Sequence, residues 1–224
     1  MKGLFTEVYA ILWKELISGL RTKEVITSVL VFALLVLVIF NFAFEPGASM
    51  RETVAPGILW VAIAFAGVLG LNRTFATERE NSCLEGLMLC PVERYVIYWG
   101  KLAASFIFML LVAAIITPVF LVLFNLPLFM PWLALIIVLA TLGFASVGTL
   151  FSALATNTKA RDLMLPILFL PLVVPVIIAA VEATGLALNG KSWADLATWV
   201  QMMIAFDVIF VIVSTLVFEF VVEE

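Results

Sequence analysis

Six stretches of about twenty consecutive, nearly uncharged apolar residues constrain this chain more than anything else in it: Val25 to Phe44, Val54 to Leu71, Leu102 to Phe124, Trp132 to Ala155, Met164 to Ala183 and Leu196 to Val222. At 1.5 Å per residue, each is long enough as a helix to cross a hydrocarbon layer of about 30 Å. The runs are continuous and do not alternate apolar with polar residues. Helices, which satisfy their backbone groups internally, are therefore predicted, and a barrel is not. Composition agrees: 65% of residues are hydrophobic, 12% are charged, and the mean hydropathy is +1.23. No soluble core of this length could hide so much apolar surface. The expectation is an all-α polytopic membrane protein with six transmembrane helices, forming a single transmembrane domain over residues 1–224. No repeat and no low-complexity segment divides it.

Residues 1–24 are too polar to span, yet they are patterned. Glu7, Lys14, Ser18 and Arg21 line one stripe of a helical wheel, and Leu4, Phe5, Val8, Leu12, Leu16 and Leu20 cover the opposite arc. Such a helix lies along the membrane surface with its basic groups toward the headgroups. Glu15 falls inside the apolar arc, which predicts a structural pairing with a basic group elsewhere. A cleavable signal peptide is not expected, because the apolar run that follows is too long and the basic residues are spread too widely.

Lysine and arginine sort strongly across the alternate connections. One side holds Lys2, Lys14, Arg21, Lys23, Arg73, Arg79, Arg94, Lys101, Lys159 and Arg161; the other holds only Arg51 and Lys191. By the positive-inside rule both termini and the segment 73–101 are cytoplasmic. Cys83 and Cys90 then sit in a reducing compartment. Seven residues apart on one helix, they are also too far apart to bridge, so both read as small hydrophobes.

The segment 73–101 is the long polar interruption of the chain and carries eight charges: Arg73, Glu78, Arg79, Glu80, Glu85, Glu93, Arg94 and Lys101. Ser82 followed by Glu85 fits a capping box, which starts a short helix. Leu84, Leu87 and Met88 fall on one face of it, and Pro91 ends it. The result is an apolar knob in a charged surround; the alternative is an ordinary solvated loop.

Within the spans a few residues break the apolar rule. Asp207 lies in the outer half of the last span, where a carboxylate costs about 2.5 to 3.5 kcal/mol on insertion, so it faces the bundle as a functional candidate or as a packing residue. Pro166, Pro171 and Pro175 predict a kinked or opened fifth span, a hinge or a transport path. Glu182 and Glu219 lie near span ends and read as interfacial. Ala62, Ala66 and Gly70, and Thr141, Ala145, Thr149 and Ala153, form small-residue ridges that read as packing seams, within the bundle or between two copies.

The chain has no histidine and only two cysteines, which excludes the usual zinc patterns and any catalysis or haem ligation by histidine within it, and leaves Met, Tyr or Cys as the side chains that could touch haem. No phosphate-binding glycine loop and no G-x-S-x-G occurs, so no enzyme constellation is present and nucleotide hydrolysis is expected in a separate partner chain. A surface helix, six spans and a charged loop with an apolar-faced helix suggest a membrane half driven by another subunit. No nucleic-acid partner is implied; membrane lipid is.

The runs APGILW (Ala55 to Trp60), LNRTF (Leu71 to Phe75), LEGLMLCP (Leu84 to Pro91), Gly100 with Lys101, and LPLVVPVI (Leu170 to Ile177) together resemble the haem exporter protein B family, in order and spacing, over nearly the whole chain. That family is the permease of the ABC transporter used in system I cytochrome c maturation. The resemblance implies an ABC-2 exporter-type permease with residues 1–24 as its elbow helix and a coupling helix within 73–101. Ser82, Leu84, Glu85, Leu87 and Met88, with Glu78 and Arg79, would contact the ATPase; Asn72 and Cys90 receive no role. Pro166, Pro171, Pro175 and Asp207 are candidates for the path or hinge, and no metal site is expected. The implied partners are an ATP-binding subunit that holds the ATP, a second permease copy, a haem-handling membrane protein with its small companion, and a periplasmic haem chaperone. No cofactor is assigned to this chain, and haem belongs to the complex, either exported or released with the loaded chaperone. The implied location is the bacterial inner membrane. An ABC-2 permease for a lipid or drug, and a non-transporting assembly scaffold, are the competing readings.

Overall fold

The computed structural model describes residues 2–21, 23–44, 48–80, 86, 92–127, 130–154 and 161–221. They form long helices and, among the described residues, no strand. In chain order these are α1 (Lys2–Arg21), α2 (Lys23–Ala43), α3 (Ala48–Glu80), α4 (Arg94–Leu123), α5 (Pro131–Leu154), α6 (Arg161–Leu188) and α7 (Trp193–Val221). Six contain a stretch long and apolar enough to cross a membrane: Ile26–Ala43, Thr53–Leu71, Arg94–Leu123, Pro131–Phe151, Phe169–Leu188 and Trp193–Phe218. The expected all-α, six-span architecture is thus present.

Two boundaries at the polar segment differ from the sequence reading. Helix α3 does not stop where its apolar run ends at Leu71 but continues through the polar residues to Glu80. Helix α4 begins at Arg94, not at Leu102. The segment 73–101 is therefore helical at both ends: α3 propagates at little cost through Ala76, Glu78, Arg79 and Glu80, whereas 94–101 is rich in poor helix formers and is held helical by the burial of Val96, Ile97 and Tyr98. Helix α6 runs unbroken from Arg161 to Leu188 through Pro166, Pro171 and Pro175, so the fifth span is not opened there.

α5 sits centrally, packed against α4, α6 and α7, while α3 packs on α2, α4 and α6. The core between them is apolar and fully buried at Trp60, Phe120, Phe144 and Phe169. The small-residue ridges lie inside it: Ala62, Ala66, Thr141 and Ala145 have no exposed surface, and Thr149 has almost none. They are seams within the bundle. Connections are tight where they are described. After α6, Gly190 adopts φ +65°, Lys191 N–H bonds the carbonyl of Leu186 at 3.0 Å, and the helix closes in a Schellman-type turn. α7 then starts at once, with Asp195 Oδ2 accepting from the Ser192 N–H at 3.1 Å and from its hydroxyl at 2.8 Å.

Candidate functional site

The surface helix α1 packs along α4. Two adjacent residues of α4 make that contact possible. Gly100 is buried against Ile11: a Cβ there would lie 2.6 Å from Ile11 Cγ2, 2.7 Å from Ile11 Cβ and 3.4 Å from the carbonyl oxygen of Val8. Only glycine admits α1 at this separation. One residue on, Lys101 Nζ donates to Glu15 Oε1 at 3.1 Å, and Lys14 Nζ reaches the same oxygen at 2.9 Å. The Glu15 and Lys101 side chains are each 5% exposed. The pairing expected for Glu15 is present, and one partner, Lys101, is 86 residues away. A buried carboxylate that shares two ammonium groups satisfies the rule that buried charge must be paired.

The same end of α4 is wedged on its other side. Val96, Ile97, Tyr98 and Leu102 form a second apolar cluster with Ile11 of α1, Ala145 of α5 and Phe218 at the end of α7. Tyr98 and Phe218 have ring centroids 5.5 Å apart. The first turns of α4, directly after the segment 81–91, thus touch the surface helix, the central helix and the last helix together.

Of the residues singled out in the sequence for ATPase contact, Ser82, Leu84, Glu85, Leu87 and Met88 lie outside the described residues, as do Cys83 and Cys90. Glu78 and Arg79 belong to the helical extension of α3, with side chains outside what is described. Pro166 lies in α6, again without a described side chain; Pro171 is exposed and Pro175 half-buried on the same helix.

Asp207 is 4% exposed and falls near the middle of its span, deeper than the outer half expected from sequence. It faces α5, where Gly143 makes room: a Cβ at 143 would lie 2.7 Å from Asp207 Oδ1. Among the described residues neither carboxyl oxygen has a hydrogen-bond partner. Sequence reasoning missed the clasp between α3 and α6, where Trp60 Nε1 donates to Thr184 Oγ1 at 2.9 Å with both residues fully buried. A tryptophan in a span one helical turn from a proline carries no signal of that partner.

Among the described residues no three of His, Cys, Asp and Glu gather as metal ligands. Comparison with known proteins fixes the family. A family model described as CcmB protein matches residues 6–223. This chain belongs to the CcmB family. Members of that family similar to it include Heme exporter protein B of Rhodobacter capsulatus, 32% identical over 188 residues that cover 80% of this chain and 85% of the relative. Heme exporter protein B of Pseudomonas aeruginosa is 29% identical over 186 residues, 83% of each chain. The Escherichia coli K12 protein of the same name is 30% identical over 176 residues, 77% of this chain and 79% of its own. The Glu15 to Lys101 clamp and the Trp60 to Thr184 clasp both lie inside the matched range.

Proposed function

We propose that this chain is the membrane permease subunit of an ABC transporter that acts in cytochrome c maturation at the bacterial inner membrane. The CcmB match across nearly the full length is the observation that carries this reading, with haem drawn from the names of the relatives. A separate ATP-binding subunit supplies the energy, and haem export, or release of a haem-loaded periplasmic chaperone, is the outcome. A second permease copy and a haem-handling membrane protein with its small companion complete the assembly.

The fold supports a mechanical role. Closure of the ATPase pair presses on the segment Ser82 to Leu89, with Leu84, Leu87 and Met88 filling a groove on the ATPase and Glu78, Arg79 and Glu85 making polar contacts at its rim. Thrust passes directly into the start of α4. There Gly100 and Lys101 hold α1 through Ile11 and Glu15, and Tyr98 bears on Phe218 of α7, so the three helices re-pack as a unit. Pro166, Pro171 and Pro175 weaken the backbone ladder of α6 and let it flex. Leu87→Asp places a charge in the apolar knob. It is expected to abolish cytochrome c maturation while leaving membrane insertion unchanged, read by haem staining and by membrane fractionation; normal maturation in that variant contradicts the proposal. Purified protein that never brings down an ATP-binding subunit would favour the scaffold reading instead.

A further inference from the structure

Asp207 takes no part in the clamp on α1 or in the thrust through α4, yet it is buried where α7 packs on α5, with both carboxyl oxygens unpartnered among the described residues. The seam between these two helices differs on its two sides. Toward the end where Trp132 stacks on Trp193, its buried side chains are apolar: Leu133, Ile136 and Ala140 on α5, and Leu196, Val200 and Met203 on α7. The Thr141 hydroxyl lies on that side too, but its own helix takes it up, at the carbonyls of Ile137 (2.6 Å) and Val138 (3.1 Å). Toward the Phe218 end the seam is polar. Ser146 Oγ donates to the Gly143 carbonyl at 2.9 Å, Ser214 Oγ donates to the Ser146 carbonyl at 3.5 Å, and both serines are fully buried. Tyr98 of α4 completes the row: its hydroxyl has no well-formed hydrogen bond and faces that of Ser214, beside the Phe218 ring.

A lone carboxylate is not sustained as an ion in a low-dielectric interior; it needs a cation, a set of donors or a proton. Among the described residues no cation reaches Asp207. α5 carries no titratable side chain. α4 turns Tyr98 toward the seam, while its Lys101 is engaged with Glu15 and its Arg94 and Tyr95 are only half-buried at the first turn. Glu182 of α6 and Asp195 of α7 are exposed, and Arg161, Asp162 and Glu219 have side chains outside what is described. Oδ1 lies close against Gly143, so the carboxyl is packed and not solvated. From Asp207 to Ser214 α7 advances about 10 Å, and the hydroxyls along that stretch supply the two or more partners that an entering water needs. The apolar half of the seam supplies none, so access is from the Phe218 end, the side that the lysine and arginine distribution makes cytoplasmic.

We propose that Asp207 is a proton-binding site that exchanges with the cytoplasmic side along Ser146, Ser214 and Tyr98. A proton from water forms the O–H bond on one carboxyl oxygen, and its return to water leaves the carboxylate; no electrons move. The neutral acid fits the closed seam, whereas the carboxylate needs water and holds α7 off α5, so proton loading and seam closure go together. The site does not depend on the ATPase reading. The test is infrared spectroscopy of the protein in nanodiscs at neutral pH, grown on aspartate with a heavy isotope in its side-chain carboxyl carbon. The chain has three aspartates, Asp162, Asp195 and Asp207. The expected result is a carbonyl band of a protonated carboxylic acid that shifts with the isotope, is lost in Asp207→Asn, and is kept when Asp162 and Asp195 are both changed to Asn. No such band overturns the site. In heavy water the band is expected to shift as the proton exchanges, about tenfold more slowly in the double variant Ser214→Val with Tyr98→Phe and at the native rate in Thr141→Val. A band that never exchanges belongs to a locked packing acid and overturns the proton site. An unchanged rate in the double variant, or equal slowing in Thr141→Val, overturns the cytoplasmic route.

Discussion

At the scale of single residues, stability turns on how few polar groups the bundle buries and how each is met. Among its partners Glu15 has both Lys101 and Lys14, and this gives an order of effects. Glu15→Gln removes the carboxylate that both ammonium groups share, and breaking a buried pair in this way costs about 3 to 5 kcal/mol. Lys101→Met leaves Lys14 on the carboxylate and is expected to cost clearly less, measured as thermal unfolding in detergent; the reverse order would show that Lys14 does not support the pair. Asp207 is the opposite case, a buried carboxyl whose oxygens find no partner among the described residues. Asp207→Ala is therefore expected to stabilise the inserted protein, by up to about 2 to 3 kcal/mol on the insertion scale. Gly143→Ala crowds Asp207 Oδ1 at 2.7 Å and, less severely, the Phe206 ring at 3.2 Å, and is expected to destabilise the native chain more than the Asp207→Ala variant. A double-mutant cycle with no coupling between 143 and 207 would contradict that geometry. The sequence announced Asp207 and Glu15 as anomalies, since each breaks an apolar pattern. It could not say which was paired, because the partner of Glu15 stands 86 residues away on another helix.

At the scale of elements, α1 shows where a helical wheel stops being informative. Its pattern reads as two faces, polar and apolar, but the helix has three. Phe5, Tyr9 and Trp13 are exposed, with the rings of Tyr9 and Trp13 stacked at 6.2 Å, while a narrow strip holding Ile11 and Glu15 is buried against α4. An apolar side chain looks the same in sequence whether it meets lipid or protein, so periodicity separates water from oil and nothing finer. The spans themselves were legible for the complementary reason: their length is dictated by the bilayer. The ends of α3 and α4 were not: polar residues carry α3 on past its apolar run, and the start of α4, rich in poor helix formers, is set by burial of Val96, Ile97 and Tyr98 against other helices. Glycine contacts separate the close approaches that matter from those that do not. At Gly67 an added Cβ meets only the end of the Met109 side chain, which can swing aside, so Gly67→Ala is expected to be neutral or slightly stabilising. At Gly100 it meets Ile11 Cβ, which is fixed to the backbone of α1. Gly100→Ala is expected to lift the elbow off α4, costing about 1 to 3 kcal/mol and slowing maturation. Equal stability of the two variants would contradict a tight seat for α1.

At the scale of the whole molecule, the chain is a six-span bundle whose start and finish both meet the first turns of α4: α1 through Ile11 and Glu15, and α7 through Phe218. That arrangement makes the segment between α3 and α4 the place where a push from outside would reach most of the bundle at once. The fold class, the number of spans and the family were all readable from sequence. The convergence on α4 was not, since it depends on pairs far apart in the chain. For the lever to work, the segment must lie on the cytoplasmic face, where an ATP-binding subunit can reach it. The direct measurement is labelling of a single cysteine at Ser82→Cys, in a chain with Cys83 and Cys90 replaced by serine, using a membrane-impermeant maleimide on right-side-out and on inverted vesicles. Labelling in inverted vesicles alone is the expected result; labelling in right-side-out vesicles would put the segment on the periplasmic face and contradict the account.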